Sequence, residues 1–347
     1  MKIALIITTG RTGSDFLQHC LDGINGLIVF SDKFEYHQFF ENESQLKKPK
    51  PLIESFLKKY SYLFSNINIE NIKINLSIKI FKKNFLKLSK DRLINRKEFL
   101  ILLYKAYYLT SKKKNKITKT IIHHSHGIRN SIKCLEDFPK AKLLITIRHP
   151  LSNLRSGLKN WFDFDKSRIA MWHTFFYLYR VRQDLKYLLT KKNKKLFVKL
   201  EEANQLRIKK KICKFLSIKF QKNIFNATVL GNPWNGDKLS KKKSRQGRYI
   251  KPDGKKEYEK FFSPKEIQLL SYIYKDYKKF GYDLSKVTNF TFLRNLTYIF
   301  SFENYILQHK NAKKNVFQNI KYLMLRFIYF IIIFLKLEFL LKNKHLS

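Results

Sequence analysis

The first residues of this 347-residue chain contain the feature that most constrains its fold. An apolar, β-favouring run at Leu5–Ile7 leads through Thr8-Thr9-Gly10-Arg11-Thr12-Gly13-Ser14 into helical spacing near Phe16. A strand that turns through glycines into a helix leaves the first helical N–H groups without intrahelical acceptors, and the helix dipole is positive at that end. Such a corner binds phosphate-like anions. The sequence therefore predicts an anion-binding loop over residues 10–16.

The side chains of this loop strengthen the prediction. Arg11 adds a cation, and the hydroxyls of Thr12 and Ser14 add hydrogen-bond donors. Asp15 cannot donate when it is ionised, so we expect it to favour the helix start. A nucleotide-triphosphatase loop would read G-x-x-x-x-G-K-[ST], but no such lysine follows Gly13. An ATP-dependent kinase of the P-loop type is therefore the weaker alternative.

The charge balance is the second informative feature. The 71 Lys and Arg residues against 26 Asp and Glu give a formal net charge of +45. A field of this size attracts acidic glycans, nucleic acid or an anionic membrane face. The abundance of Lys, Asn, Ile, Phe and Tyr is also typical of an A+T-rich genome, so a solvated lysine surface is the alternative explanation. No motif that reads nucleic acid accompanies the charge, and we expect no specific nucleic-acid partner.

The cysteines and the N-terminus indicate the compartment. Cys20, Cys134 and Cys213 have no metal-ligand spacing, and their odd number argues against a disulfide framework. The apolar run at the N-terminus is too short for a signal peptide and leads directly into the anion loop. We therefore expect a cytoplasmic protein with a buried first strand and no metal.

Apolar runs alternate with helical patterns over much of the chain. Strands are expected near residues 1–7, 24–30, 120–124, 142–147 and 196–200, with helices between the later ones. This alternation predicts an α/β fold in which helices flank a central parallel sheet. We expect one domain over residues 1–284, with a helical insertion at about 51–120.

The C-terminal segment, residues 285–347, has a different composition. Tyr322 to Leu341 is densely apolar, but Arg326 and Lys336 leave only nine uninterrupted residues between them. A bilayer requires about 20. We expect a helical, apolar and basic extension, which either makes peripheral contact with the inner face of the membrane or packs against the domain or in a homodimer.

A second anion site is predicted where the strand at 142–147 ends. Arg148 stands at the strand end, Pro150 stops the strand, and Ser156 lies eight residues beyond Arg148. If a helix opens at Leu151, Ser156 falls on its second turn and can share one phosphate with Arg148. The guanidinium supplies a planar pair of donors and the hydroxyl supplies a third hydrogen bond.

The two anion motifs together resemble those of the sulfotransferase superfamily, of the bacterial type. Arg11-Thr12-Gly13-Ser14 is similar to its 5′-phosphosulfate loop, [KR]-[ST]-G-[ST]-[ST], from which Asp15 departs at the last position. Arg148 and Ser156 are similar to its 3′-phosphate motif, an arginine at a strand end followed by a serine eight positions on. Both motifs occur in the order that the family shows.

Later segments extend this resemblance to residues 1–284. Phe197–Glu202 resembles the strand that leads into an acidic pair in the family. Trp234–Asp237 and Arg245-Gln246-Gly247 resemble the late loop that closes over the 3′-phosphate. The C-terminal extension has no counterpart in it.

The resemblance implies a P-loop-like three-layer domain and a metal-independent reaction. Such enzymes move a sulfuryl group from 3′-phosphoadenosine 5′-phosphosulfate (PAPS) to a hydroxyl or an amine. Arg11 would offset the charge that develops on the leaving oxygen. The donor-binding residues that it implies are Gly10, Arg11, Thr12, Gly13, Ser14, Asp15, Phe16, Arg148, Ser156, Arg245 and Gly247.

The resemblance leaves the general base open. His126 lies 22 residues before Arg148, where cytosolic sulfotransferases carry their catalytic histidine, and His124 stands in place of their lysine. Glu35 resembles the glutamate base of glycan sulfotransferases, with the register shifted by one residue. His37 is a further candidate.

The acceptor class is inferred from the basic surface and the apolar tail. These features favour a carbohydrate or a lipid-linked glycan. The alternatives are a kinase that uses ATP and a non-catalytic basic protein that binds membrane or nucleic acid on the same fold.

Overall fold

The structure is a computed structural model. It describes residues 1–64, 76–111, 120–125, 127–163, 174, 178–179, 181–236, 247–249, 255–284, 298–309 and 316–335. The chain divides into two compact units. Unit 1 comprises Met1–Arg148 and Lys191–Pro252, and unit 2 comprises His149–Thr190 and Asp253–Ser347. The domain boundary near Leu284 stays a prediction.

A five-stranded parallel sheet forms the centre of unit 1. Its strands are β1 (Lys2–Thr8), β2 (Leu27–Val29), β3 (Thr120–Ser125), β4 (Lys142–Ile147) and β5 (Lys195–Lys199). They lie side by side in the order β2-β3-β1-β4-β5. The inner strands are buried because parallel strands are covered on both faces, and β1 and β4 are accordingly almost continuous apolar runs. The predicted central parallel sheet is confirmed.

The strand register brings three carboxyl ends together. Ile7 on β1 pairs with Ser125 on β3, and Thr8 on β1 pairs with Thr146 on β4. The chain leaves β1 first towards one side of the sheet and later returns on the other side. In open α/β sheets, ligands bind outside the carboxyl ends of the strands at such a switch point. The loop that follows β1 lies at this place.

Helices flank the sheet and fill the described part of the predicted insertion. They are α1 (Ser14–Leu21), α2 (Pro49–Tyr60), α3 (Ile78–Ser89), α4 (Arg96–Thr110), α5 (Ile128–Asp137) and, from the later part of the chain, Leu206–Leu216. Helix α4 begins with a capping box, in which Asn95 and Glu98 each accept a hydrogen bond from the other's backbone N–H. One side of the sheet packs on Phe16, Leu17 and Cys20 of α1.

A short antiparallel hairpin lies in the later part of unit 1. Its strands are β6 (Thr228–Val229) and β7 (Asn232–Pro233). Leu230 and Gly231 both have positive φ, 53° and 88°, as the tight turn of a two-residue hairpin requires.

Unit 2 is helical in its described residues. The unit 1 helix Leu206–Leu216 is α8 in chain order. The helices of unit 2 are α6 (Pro150–Asp163), α7 (Val181–Thr190), α9 (Lys255–Glu259), α10 (Pro264–Ile273), α11 (Ser301–Gln308) and α12 (Val316–Phe334). Ser263 and Glu266 form a capping box at the start of α10.

A helix of a different type follows α10. Helix α10 ends at Ile273, and Lys275–Phe280 forms a 3₁₀-helix that ends at Gly281, whose φ is 72°. Asp276 accepts hydrogen bonds from Arg182 on α7. This tertiary pairing is absent from the local pattern, so the sequence could not indicate the change of helix type.

Candidate active site

The backbone between β1 and α1 is strongly turned. Gly10, Arg11 and Gly13 all have left-handed conformations, with φ values of 82°, 54° and 81°. The Gly10 N–H donates to Thr8 Oγ1 over 2.9 Å, which holds the start of the loop. Left-handed residues within a tight loop direct successive N–H groups towards one side, which makes an anion-binding concavity. The predicted strand, loop and helix start are all present.

A chain of hydroxyl groups fixes the centre of the loop. Thr12 Oγ1 lies 2.8 Å from Thr8 Oγ1 and 2.7 Å from Thr146 Oγ1. Thr146 Oγ1 in turn donates to the carbonyl oxygen of Ile7 over 3.3 Å. The hydroxyl of Thr12 therefore bonds within the protein, and its predicted contact with a bound anion stays a prediction. Its contribution to the loop is to join β1 and β4.

The first turn of α1 has no side-chain cap. Gly13 is the N-cap residue, and its carbonyl oxygen accepts from Leu17 N over 3.0 Å. A Cβ atom at position 13 would lie 2.3 Å from Leu200 Cδ1, so the loop backbone packs tightly against β5's end. Thr9 Oγ1 is buried beside this turn and has no hydrogen-bond partner among the described residues. An anion bound at the first turn would fit this donor set.

Asp15 faces two basic side chains. Its Oδ1 lies 3.2 Å from Lys33 Nζ and 3.6 Å from His124 Nδ1. Gln18 Nε2 donates to the Phe30 carbonyl, so Gln18 Oε1 is the acceptor for His124 Nδ1 at 2.6 Å. Asp15 thus holds the Lys33 ammonium beside the loop. Sequence reasoning missed Lys33, although its place four residues after β2 put it at the same sheet edge.

Glu35 lies at the carboxyl end of β3. Its Oε2 accepts from Ser125 Oγ over 3.5 Å and lies 3.6 Å from His37 Nδ1. The Glu35 N–H donates to the hydroxyl of Tyr60 over 3.0 Å, which fixes the backbone. Because Ser125 pairs with Ile7, this carboxylate is beside the strand that leads into the anion loop. The structure thus places Glu35 at the carboxyl ends of β3 and β1.

The histidine candidates have different environments. Burial lowers the pKa of His37 to about 4, helped by the positive charges of Lys133 and Arg96, so this imidazole is neutral at pH 7. His124 is buried and donates from Nδ1 to Gln18. His126 lies outside the described residues, so its role stays a prediction.

The second predicted anion site is divided between the units. Arg148, 7% exposed, follows β4 directly and is two residues from Thr146. Helix α6 begins at Pro150, one residue before the expected start, and Ser156 lies on its second turn. Arg148 belongs to unit 1 and Ser156 to unit 2, so their sharing of one phosphate stays a prediction.

The late loop is described only at residues 247–249. Gly247 N donates to the Trp234 carbonyl over 2.9 Å, and Gly247 O accepts from Ala227 N over 2.8 Å. The Tyr249 hydroxyl donates to Leu200 O over 2.7 Å, and its ring centre lies 5.4 Å from that of Phe16. This segment therefore contacts the first turn of α1. Arg245 lies outside the described residues.

Comparison with known proteins identifies the fold. No family model matches the chain, and no curated protein sequence matches it. It is similar to the sulfotransferase domain of the olefin synthase from Synechococcus PCC 7002, with a TM-score of 0.50 and 17% identity over 82% of this chain and 96% of that one. The sulfotransferase domain of the curacin biosynthetic pathway matches with a TM-score of 0.48 and 13% identity, over 82% of this chain and 99% of that one. Sulfotransferase STF9 from Mycobacterium avium matches with a TM-score of 0.34 and 12% identity, over 64% and 65%.

The chain has the fold of a sulfotransferase domain. The expectation drawn from the two motifs is confirmed at this level.

Proposed function

We propose that this chain is a sulfotransferase that moves a sulfuryl group from PAPS to a hydroxyl group. The observation that carries the proposal is the uncapped first turn of α1, which follows a left-handed loop containing Arg11. This turn lies at the switch point of a sheet with the sulfotransferase fold. Free helical N–H groups, a cation and a glycine-containing backbone are what a transferable phosphosulfate requires.

The donor would be held at both of its ends. In the proposal, the backbone N–H groups of residues 12–16 bind the 5′-phosphate, and Arg11 offsets the charge on the leaving oxygen. Lys33, which Asp15 holds beside the same turn, supplies a second cation. Arg148, Ser156 and the late loop with Arg245 and Gly247 bind the 3′-phosphate.

We assign the general base to Glu35. Its carboxylate is about one-fifth exposed and lies at the end of the strand beside β1. The acceptor hydroxyl loses its proton to this carboxylate as its oxygen bonds to sulfur, and adenosine 3′,5′-bisphosphate leaves. His126 is the alternative base.

The proposed acceptor is a carbohydrate or a lipid-linked glycan. The net charge of +45 supports it, because such a field concentrates acidic glycans at the surface. A panel of carbohydrate acceptors with labelled PAPS would identify the class by the transfer of label.

Calorimetric titration tests donor binding. We expect adenosine 3′,5′-bisphosphate to bind without magnesium and more tightly than ATP, and Arg11→Ala or Arg148→Ala to weaken it at least tenfold, about 1.4 kcal/mol. Arg92→Ala is the matched control because Arg92 is exposed, pairs with Glu98 over 2.8 Å and carries the same charge. Equal losses of affinity in all three variants would mean that the effect comes from the change in net charge and not from the two proposed sites. Magnesium-dependent binding of ATP alone would favour the kinase.

Turnover tests the base. Glu35→Gln should lower kcat by about 10²-fold or more and leave the affinity for adenosine 3′,5′-bisphosphate within twofold. His126→Asn is the paired variant. If His126→Asn abolishes turnover and Glu35→Gln does not, the base is His126 while the sulfotransferase assignment stands. Salt-sensitive polyanion binding with no response to PAPS would support the non-catalytic alternative.

A further inference from the structure

The C-terminal helix α12 has a large apolar surface on its outside. Phe317 is 79% exposed, Met324 63% and Leu335 55%. Ile320 and Ile328, 52% and 47% exposed, lie between them. These positions follow one another at intervals of three, four and seven residues, so they form a continuous stripe along one side of the helix. We call this stripe the outer face of α12.

The opposite side of α12 is buried and combines polar groups with apolar side chains such as Phe330 and Ile333. Arg326 Nε donates to Glu303 Oε1 on α11 over 2.9 Å, and the Tyr322 hydroxyl donates to the same carboxylate. The Tyr329 hydroxyl bonds to Gln183 Oε1 on α7 over 3.1 Å. A surface helix of a protein in water normally presents its polar groups outwards and buries its apolar stripe. Helix α12 buries apolar side chains together with these polar groups, yet its exposed side is apolar as well.

The sequence on either side of α12 is basic. Residues 298–347 carry eight Lys and Arg but only two Glu, and one of these, Glu303, is buried in the pair with Arg326. Within α12 the exposed charge is Lys321. An apolar helix face with basic flanks is complementary to a surface whose headgroups are negative and whose interior is hydrocarbon.

The network of Arg326 distinguishes lying on a bilayer from crossing it. Helix α12 has 19 residues and is long and apolar enough to span a membrane by length and composition alone. Crossing would place Arg326 near the bilayer centre and break its contact with Glu303. Lying in the interface keeps that contact and covers only the outer face.

We propose that the outer face of α12 binds an anionic lipid bilayer, with the helix lying in the plane of the interface. We take a lipid surface as the partner of this face. An uncharged groove on another protein, or the apolar face of a second copy, would not require basic residues on either side of the helix. This inference goes beyond the proposed sulfotransferase activity and does not depend on it. It gives the enzyme access to acceptors at a membrane.

Vesicle sedimentation of the full-length chain tests the proposal. The probes are vesicles of phosphatidylcholine alone and vesicles of phosphatidylcholine with phosphatidylglycerol. We expect binding to the anionic vesicles, weaker binding at high salt, and a loss of roughly tenfold in the partition coefficient for the double variant Met324→Gln, Ile328→Gln. A matched control is Ile80→Gln with Leu206→Gln, which removes exposed apolar side chains from unit 1 and should leave binding unchanged.

Four outcomes would overturn the proposal. They are the absence of vesicle binding, equal binding to neutral vesicles, an equal loss in the control variant, and retention of the protein in membranes after an alkaline wash, which indicates a spanning helix. Light scattering provides a further test. A dimer that the Met324 and Ile328 substitutions dissociate, without vesicle binding, would identify a second copy as the occupant.

Discussion

The hydroxyl of Thr12 lies 2.7 Å from the hydroxyl of Thr146, which ties the anion-binding loop to strand β4. Both side chains are almost fully buried, at 1% and 2% exposure. Arg148 follows Thr146 by two residues on the same strand end. The hydrogen bond therefore joins the loop of the first predicted anion site to strand β4, which positions Arg148 of the second predicted anion site.

Thr146→Val should uncouple the loop from β4 while nearly preserving side-chain volume. We expect a loss of about 1 kcal/mol in the free energy of unfolding and a several-fold weaker affinity for adenosine 3′,5′-bisphosphate. Thr110→Val is the control, since Thr110 Oγ1 donates to Ala106 O over 2.7 Å in α4, away from the loop. Urea unfolding and calorimetry together separate the effects. An equal change of affinity in the control would rule out a specific role for the Thr12–Thr146 bond.

Gly13→Ala should distort the loop more than its backbone conformation alone explains. Gly13 and Gly23 have similar φ values, 81° and 73°, so alanine is strained at both by about 1 kcal/mol. A new Cβ would meet Leu200 Cδ1 at 2.3 Å in the first case and Thr228 Oγ1 at 3.8 Å in the second. We therefore expect Gly13→Ala to cost roughly 1–3 kcal/mol more than Gly23→Ala in urea unfolding.

A double variant isolates the cause. Leu200→Ala removes the atoms that the new Cβ meets, so it should recover most of the excess cost of Gly13→Ala. Strictly additive effects of the two substitutions would show that the clash is not responsible.

The sheet and the loop could be predicted because their signals are local. Strands β1 and β4 are almost continuous apolar runs, and the observed bounds of β1, β3 and β4 differ from the predicted ones by at most one residue. The turn after β1 is specified by its glycines at positions 10 and 13. Patterns of neighbouring residues suffice for such elements.

The contacts that shape the site could not be predicted because they join distant segments. Lys33 meets Asp15 only once β2 is placed at the sheet edge, and Thr12 meets Thr146 across 134 residues of sequence. Composition and spacing carry no information about such pairs. The prediction for Asp15 as a helix-start residue was therefore incomplete, since its carboxylate also balances Lys33.

Asp137→Asn should be among the most destabilising polar substitutions in unit 1. Asp137 is buried and accepts from Arg96 Nε over 2.9 and 3.0 Å and from the hydroxyl of Tyr36. Its loss leaves a buried guanidinium without its main counter-ion, which costs about 3–5 kcal/mol. Glu136→Gln is the control, because Glu136 pairs with the same Arg96 but its side chain is 49% exposed. Urea unfolding should show a loss below about 1 kcal/mol for the control. Similar losses in both variants would contradict a special role for the buried carboxylate.

The free energy of unfolding should fall as the pH is lowered below about 6.5. Burial lowers the pKa of His19 to about 4, and the imidazole stacks on Trp234 with ring centres 4.7 Å apart. Burial also lowers the pKa of His37 to about 4 and that of His123 to about 3. In the unfolded chain all three titrate near 6.5. Between these values the unfolded state binds more protons than the folded state, so stability rises with pH in this window.

The contribution of each buried histidine to the free energy of unfolding is therefore fully present above about pH 6.5 and is lost as the pH falls towards about 4. For His19, whose pKa is about 4, the loss is roughly 3 kcal/mol, at about 1.4 kcal/mol per pKa unit. His19→Phe keeps a ring against Trp234 but removes the titrating group, so urea unfolding between neutral and acidic pH should show a shallower decline. His309→Gln, which removes a partly exposed histidine from unit 2, is the control and should follow the wild type. An unchanged pH slope in His19→Phe would mean that other groups dominate the acid sensitivity of the fold.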